Sequence, residues 1–298
     1  MTASAAESTD NKKLYRKKSQ AKVIFTRYCR SKLAVFGLVV FSLMFLFFMT
    51  ADLFFDYETD ALEMHIAERY QPPSSEHILG TDSYGRDMFA RIVYGGRTSL
   101  LIGVATAAFA LVMGTIIGAS AAYFGGAVDN ILMRIMDIFL AIPGTLLAIA
   151  IISVMDSSIF NLLIAMGISQ TPRMSRLVRS AVLGVMGSDY IEAAKAVGTS
   201  HFRIIFRHIL PNAMGPILVQ TSQTVARSVL IVAGLSFVGL GISEPTPEWG
   251  SMLSGVKSQM RYSPYLALGP GIAMVLSVLS LTMIGDGLRD AMDPRLRN

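Results

Sequence analysis

The chain has 298 residues, 52% hydrophobic and 16% charged, with a formal net charge of +5. Soluble domains carry about 25% charged residues, so this composition argues against an ordinary soluble enzyme and for a chain that lives in lipid. Cys29 is the only cysteine, which excludes an internal disulfide and any cysteine-based metal cluster.

The start, Met1 to Asp10, is small, polar and acidic, and a strongly basic stretch follows from Lys12 to Lys32. The apolar run after it, 33–54, is too long for a signal-peptide core and has a poor cleavage site, so it reads as a retained membrane helix. Further apolar runs at about 99–124, 131–154, 159–178, 213–238 and 266–285 bring the expected number of spans to six, because about 20 apolar residues cross the hydrocarbon core as a helix. Asn161, Ser169, Gln170 and Pro172 dilute the fourth. In the second, Gly114, Gly118 and Ala122 recur every four residues, a spacing that lets two helix backbones approach closely.

Lysine and arginine set the orientation. Nine precede the first span, namely Lys12, Lys13, Arg16, Lys17, Lys18, Lys22, Arg27, Arg30 and Lys32. With that end cytoplasmic, the loop around 173–211 and the tail after 286 are cytoplasmic too. They hold Arg173, Arg176, Arg179, Lys195, Arg203, Arg207, Arg289, Arg295 and Arg297, and Arg134 lies near the same side. The positive-inside rule therefore places both termini in the cytoplasm. It also accounts for the net positive charge without nucleic acid.

Two segments fall on the outer side in this topology. The stretch His77 to Asp87 contains Gly80, Asp82, Gly85 and Arg86, and the stretch Leu235 to Gly250 contains Gly239, Gly241, Pro245, Pro247, Glu248 and Trp249. Glycine and proline at this density mark tight turns. Such loops either form an outer cap that meets another protein or plug the bundle structurally. Trp249, the only tryptophan, fits an interfacial anchor. Asp82 and Asp87 flank Arg86, an arrangement for salt-bridged loop structure more than for acid–base catalysis.

On the cytoplasmic side, Glu192 to Val197 is helix-forming sequence. Gly198 suits the end of that helix, because glycine takes the left-handed backbone cheaply. Phe202, Ile205, Phe206 and Ile209 then recur at helical spacing opposite Arg203 and Arg207. Pro211 either stops this second short helix or opens the fifth span. Inside that span stands Arg227, about ten residues from its outer end. Intramembrane charges are expensive and usually face water or a partner. Arg227 is thus a candidate for a translocation path, where it could meet an anionic group; an ion pair with a partner subunit or snorkelling is the alternative.

The chain has no Gly-x4-Gly-Lys-Ser/Thr phosphate cradle, and its four histidines form no close ligand pair. Neither a catalytic residue nor a metal site is expected. Inverted repeats and paired intramembrane carboxylates, which an ion-driven carrier should show, are missing as well.

The segment Glu192-Ala193-Ala194, three residues, Gly198, then Leu210-Pro211 resembles the EAA loop of ABC import permeases, with His208 at a position the family keeps apolar. The outer segments and the tail from Ile284 to Arg295, with Asp286, Arg289, Asp293 and Pro294 in the family pattern, resemble C-type permeases of dipeptide and oligopeptide importers. The resemblance runs from about residue 20 onward. It implies an all-α membrane protein of six transmembrane helices with the type I importer permease (MetI-like) fold. It further implies a basic N-terminal segment 1–32, a first helix and external loop 33–96, a core 97–286 with a coupling loop 186–211, and a tail 287–298. By resemblance the chain is a permease subunit for di- or oligopeptides in the bacterial inner membrane. A nickel or metal-chelate cargo within the same family is the alternative. Its partners would be a second, B-type permease, two ABC ATPases and an extracytoplasmic binding protein. ATP and Mg would be used by the ATPases, and no cofactor by this chain.

Overall fold

The computed structural model describes residues 20–155 and 158–292, with side chains from residue 23 onward. The basic residues Lys12 to Lys18, the side chain of Lys22 and the tail residues Asp293, Pro294, Arg295 and Arg297 lie outside what is described.

A short helix α1 (Gln20–Tyr28) leads into α2 (Lys32–Met49), capped by the Ser31 side chain. A 3-10 turn and a loop follow, and then α3 (Met88–Phe124) runs for 37 residues. Next come α4 (Gly126–Leu140), α5 (Gly144–Ile152) and α6 (Ile159–Met186). The short α7 (Asp189–Ala196) and α8 (His201–Arg203) precede a π-helical turn, Ile204–Ile209, which runs straight into α9 (Leu210–Phe237). A short α10 (Trp249–Gly255) and the long α11 (Tyr265–Met292) complete the chain.

α2, α3, the continuous stretch His201–Phe237 and α11 are each long and apolar enough to cross a membrane. α4 and α5 together make a fifth such segment, bent by 83°. Helix α6, at 28 residues, is long enough but carries the polar dilution noted in its sequence. The architecture is all-helical and compatible with six spans.

Its boundaries differ from the apolar runs for identifiable reasons. The second span starts at Met88, eleven residues before 99, because Asp87 caps α3 by accepting from the Ala90 N–H at 2.8 Å. The third run, 131–154, is broken at Pro143. Proline supplies no N–H, and it disfavours the helical region for Ile142 before it. The fourth run extends to Met186, so Arg173, Arg176 and Arg179 sit on a helix, not in a loop. Arg176 pairs with Asp137 and Arg179 with Asp129 of α4, which lets the helix carry those charges. At the start of the fifth span, Pro211 stops nothing: it follows the π turn Ile204–Ile209 at the head of α9, in a helical stretch that runs on from His201 to Phe237.

The centre of the bundle is α3 against α6 and α9. Gly114 and Gly118 lie on α3 where a Cβ would run into Met174 and the Ser175 carbonyl of α6, so the small-residue stripe serves helix packing. α2 lies outside this core, chiefly along α11. On its far side Leu33, Phe36, Leu43 and Leu46 are exposed, an apolar stripe suited to lipid.

Candidate functional site

Three groups of residues stand out: a helical hairpin at one end of the bundle, a braced cap at the other, and unpaired arginines between.

The hairpin is built on α7. Asp189 and Glu192 occupy its first turn and Lys195 its last, each favourable to the helix dipole. Gly198, at φ +75°, closes it: the Gly198 N–H reaches the Lys195 carbonyl at 3.0 Å, and the Thr199 N–H reaches that of Ala194 at 3.1 Å. This is a Schellman motif, which needs the left-handed residue that glycine supplies. Ile191, Ile204 and Ile209 are buried in one cluster with Val178, Val182 and Ile217, anchoring the hairpin to α6 and α9. Tyr123 at the end of α3 adds a 2.7 Å hydrogen bond to His201 Nδ1.

The apolar face expected from Phe202, Ile205, Phe206 and Ile209 is split in two. The π turn widens the helix and shifts its register. Ile204 and Ile209 therefore turn inward, while Phe202 and Phe206 stand 71% and 54% exposed with ring centroids 4.3 Å apart. Val197, 79% exposed, extends the same apolar surface. Glu192, Ala193 and Gly198 are exposed, Ala194 and His208 half-buried, and Leu210 buried beside exposed Pro211. The hairpin is thus fixed from below and presents a greasy, partly basic face to whatever lies beyond.

At the opposite end the external-loop residues fold into the protein. Arg86 pairs with Asp82 at 2.7 Å and with Glu244 at 2.7 Å. Arg91 reaches Glu244 at 3.1 Å and donates to the Ala61 carbonyl at 2.7 Å. Asp87, besides capping α3, holds His77 Nδ1 at 2.9 Å. Gly80 and Gly85 take φ +76° and +79°. Glu248 caps α10 through the Ser251 N–H at 2.9 Å and receives the Ser99 hydroxyl at 3.2 Å. Trp249 is fully buried and no interfacial anchor, because α10 turns it into the bundle against Phe48. Beside this brace Arg97 and the Tyr94 hydroxyl both donate to Asp52, at 2.9 Å each, and hold its carboxyl below the usual carboxylate range. The sequence marked these residues as turns. The pairing of Arg86 and Arg91 with Glu244 links positions more than 150 apart and carries no local signal.

Arg227 is exposed on α9, without a hydrogen bond or ion pair among the described residues. The nearby Val232 is fully buried in an apolar cluster. Arg173, which the sequence placed in a loop, stands in the same condition on α6. Among the described residues no group of three or more His, Cys, Asp or Glu side chains is placed to hold a metal ion.

A bundle of crossing helices with an anchored hairpin at one end and an ion-paired cap at the other defines a multi-pass membrane transport subunit. The chain belongs to the family of binding-protein-dependent transport system inner membrane components, which matches residues 110–298, and residues 19–73 match the N-terminal TM domain of oligopeptide transport permease C. It is 43% identical to the dipeptide transport system permease protein DppC of Alkalihalophilus pseudofirmus over 92% of this chain and 90% of that one. It is 44% identical to the glutathione transport system permease protein GsiD of Pectobacterium atrosepticum over 76% of this chain and 75% of that one. The solved structure of the methionine ABC transporter MetNI, inward facing, shares the fold with a TM-score of 0.58 at 19% identity, covering 69% of this chain and 98% of that one.

Proposed function

We propose that this permease forms, with a second B-type permease, the pathway through which an ATP-driven importer takes up di- or oligopeptides. Two ABC ATPases lie beneath the pair and use ATP and Mg, and an extracytoplasmic binding protein delivers the cargo. The hairpin end and both termini face the cytoplasm, as the lysine and arginine bias requires. The observation that carries this reading is the rigidly anchored hairpin whose Val197, Phe202 and Phe206 remain exposed. Water-exposed aromatics on a fixed element mark a surface meant to be covered by protein.

Mechanism follows from that mounting. Ile191, Ile204 and Ile209 lock the hairpin to α6 and α9, so a push from ATPase closure moves those spans as bodies. Differential affinity of ATP for the closed ATPase state supplies the bias, and rocking of the spans exposes the pathway alternately to either side. Arg227, exposed on α9, lines that pathway. Both relatives named above are transporters of peptide cargo by their names; nothing observed favours nickel.

The test is purification of the solubilised chain with mass spectrometry and an ATPase assay on what accompanies it. A second permease and ATPases should co-purify, and Glu192→Arg or Gly198→Pro should release the ATPases. A chain that stays alone and transports in liposomes without ATP would sink the proposal.

A further inference from the structure

α6 carries three arginines within two turns. Arg176 and Arg179 are neutralised inside the chain by Asp137 and Asp129. Arg173 is exposed and has no counterion among the described residues, and the same is true of Arg227 on the neighbouring α9. The charged group that acts on Arg227 electrostatically is Arg173, of like sign. Arg227 lies ten residues before Phe237, the end of α9, or roughly 15 Å of helix rise. Arg173 lies fourteen residues after Ile159, or roughly 21 Å. Both therefore sit within the apolar zone, where two adjacent cations without an anion are strongly unfavourable.

A cavity of about 400 Å³ opens directly below them, lined by Leu177 of α6, by Gly215, Gln220 and Gln223 of α9, and by Arg289 of α11. Arg173 stands four residues from Leu177, and Arg227 four from Gln223, so on each helix the arginine continues the cavity's face one turn deeper. Among the described residues no acidic side chain lines the cavity. Its volume suits a small peptide, and the two glutamines supply donors and acceptors for peptide amides.

We propose that Arg173 and Arg227 together seat the free carboxylate of the transported peptide, with the glutamine-lined groove leading from them to Arg289 at its mouth. This rests on the peptide-importer reading above. Guanidinium groups bind a carboxylate through paired, charge-assisted hydrogen bonds that an ammonium or amide cannot reproduce. A permanent counterion from the partner permease is the rival occupant. The chain supplies its other α6 arginines with such counterions itself, and it leaves these two open beside a peptide-sized groove.

The experiment uses the complete transporter in proteoliposomes with dialanine and dialanine amide as parallel cargoes. The binding protein is the same in every assay, so its own preference cancels when variants are compared with wild type. Arg173→Gln and Arg227→Gln should each lower dialanine uptake by about tenfold, the size of one lost charge-assisted bond, and amide uptake by less than twofold. Arg227→Lys should retain part of the preference. As a second readout without binding protein, saturation-transfer NMR on the solubilised complex should show dialanine contact in wild type and its loss in the Arg173→Gln, Arg227→Gln pair. Equal losses for acid and amide, with wild-type dialanine uptake intact, would overturn the carboxylate seat and point to a partner or lipid anion. Absence of dialanine uptake and contact in the wild-type transporter would instead overturn the peptide reading, and the seat with it.

Discussion

The indole N–H of Trp249 donates to the carbonyl of Ile92 at 3.0 Å, joining residues 157 positions apart. The same ring meets Phe48 edge-on at 5.7 Å, so one side chain ties α10 to both α3 and α2. It is the largest fully buried side chain of α10, with Met252 beside it in the same core cluster.

Truncation there should therefore be severe. Trp249→Ala should destabilise the folded chain by about 3–5 kcal/mol through the cavity it opens. Trp249→Phe, which keeps a ring and loses the donor, should cost about 1 kcal/mol. Heat-induced loss of the monodisperse peak in size-exclusion chromatography orders the two; similar losses would mean that α10 is held by something else.

Gly85 and Gly198 have nearly the same backbone, φ +79° and +75°, but different surroundings. A Cβ at Gly85 would collide with the His65 backbone, whereas Gly198 has open space around it. Gly198→Ala should cost only about 1–2 kcal/mol of left-handed strain. Gly85→Ala must in addition displace backbone and should abolish stable folding. Parallel thermal scans check the order.

Docking and stability should separate on the hairpin. Phe202→Ser with Phe206→Ser alters exposed residues and should change the chain's own stability by no more than about 0.5 kcal/mol per site, yet strip the ATPases from the purified complex. Ile191→Ala, at a fully buried position, should cost about 2–5 kcal/mol. Co-purification yield and melting temperature, read side by side, distinguish the two effects.

The Arg97–Asp52 contact makes a pH prediction. Hydrogen bonds from Arg97 and then Tyr94 depress the Asp52 carboxyl. A depressed carboxylate contributes stability that is fully present above its unfolded value of about 3.9 and lost as pH falls through the lower folded value. The melting-temperature difference between wild type and Asp52→Asn should be constant from about pH 8 to 5 and shrink only below about pH 4. A difference that changes near neutrality would show that another group governs it.

Much of this protein is written locally. Apolar runs report burial in lipid along a single helix, so the positions of the spans were legible, while ends set by a cap or by ion pairs, as at Met88 and Met186, lay eight to eleven residues further out. Gly198 as a helix stop was legible too, because a left-handed cap is a property of one residue and its neighbours. Pro143 carries a local signal for the break in the third run, but the hydrophobicity on both sides of it masks that signal. Other features depend on what comes near in space. Arg86 and Arg91 find Glu244 across more than 150 positions, Trp249 is buried because α10 folds back, and a π turn points Phe202 outward while Ile204 goes in. Arg173 and Arg176 are alike in sequence, three residues apart on one helix; only the position of Asp137 on α4 makes one a satisfied ion pair and leaves the other open. Hydrophobicity is additive along the chain and so determines the membrane fold, whereas charge pairing is a property of distance, which the tertiary structure alone decides.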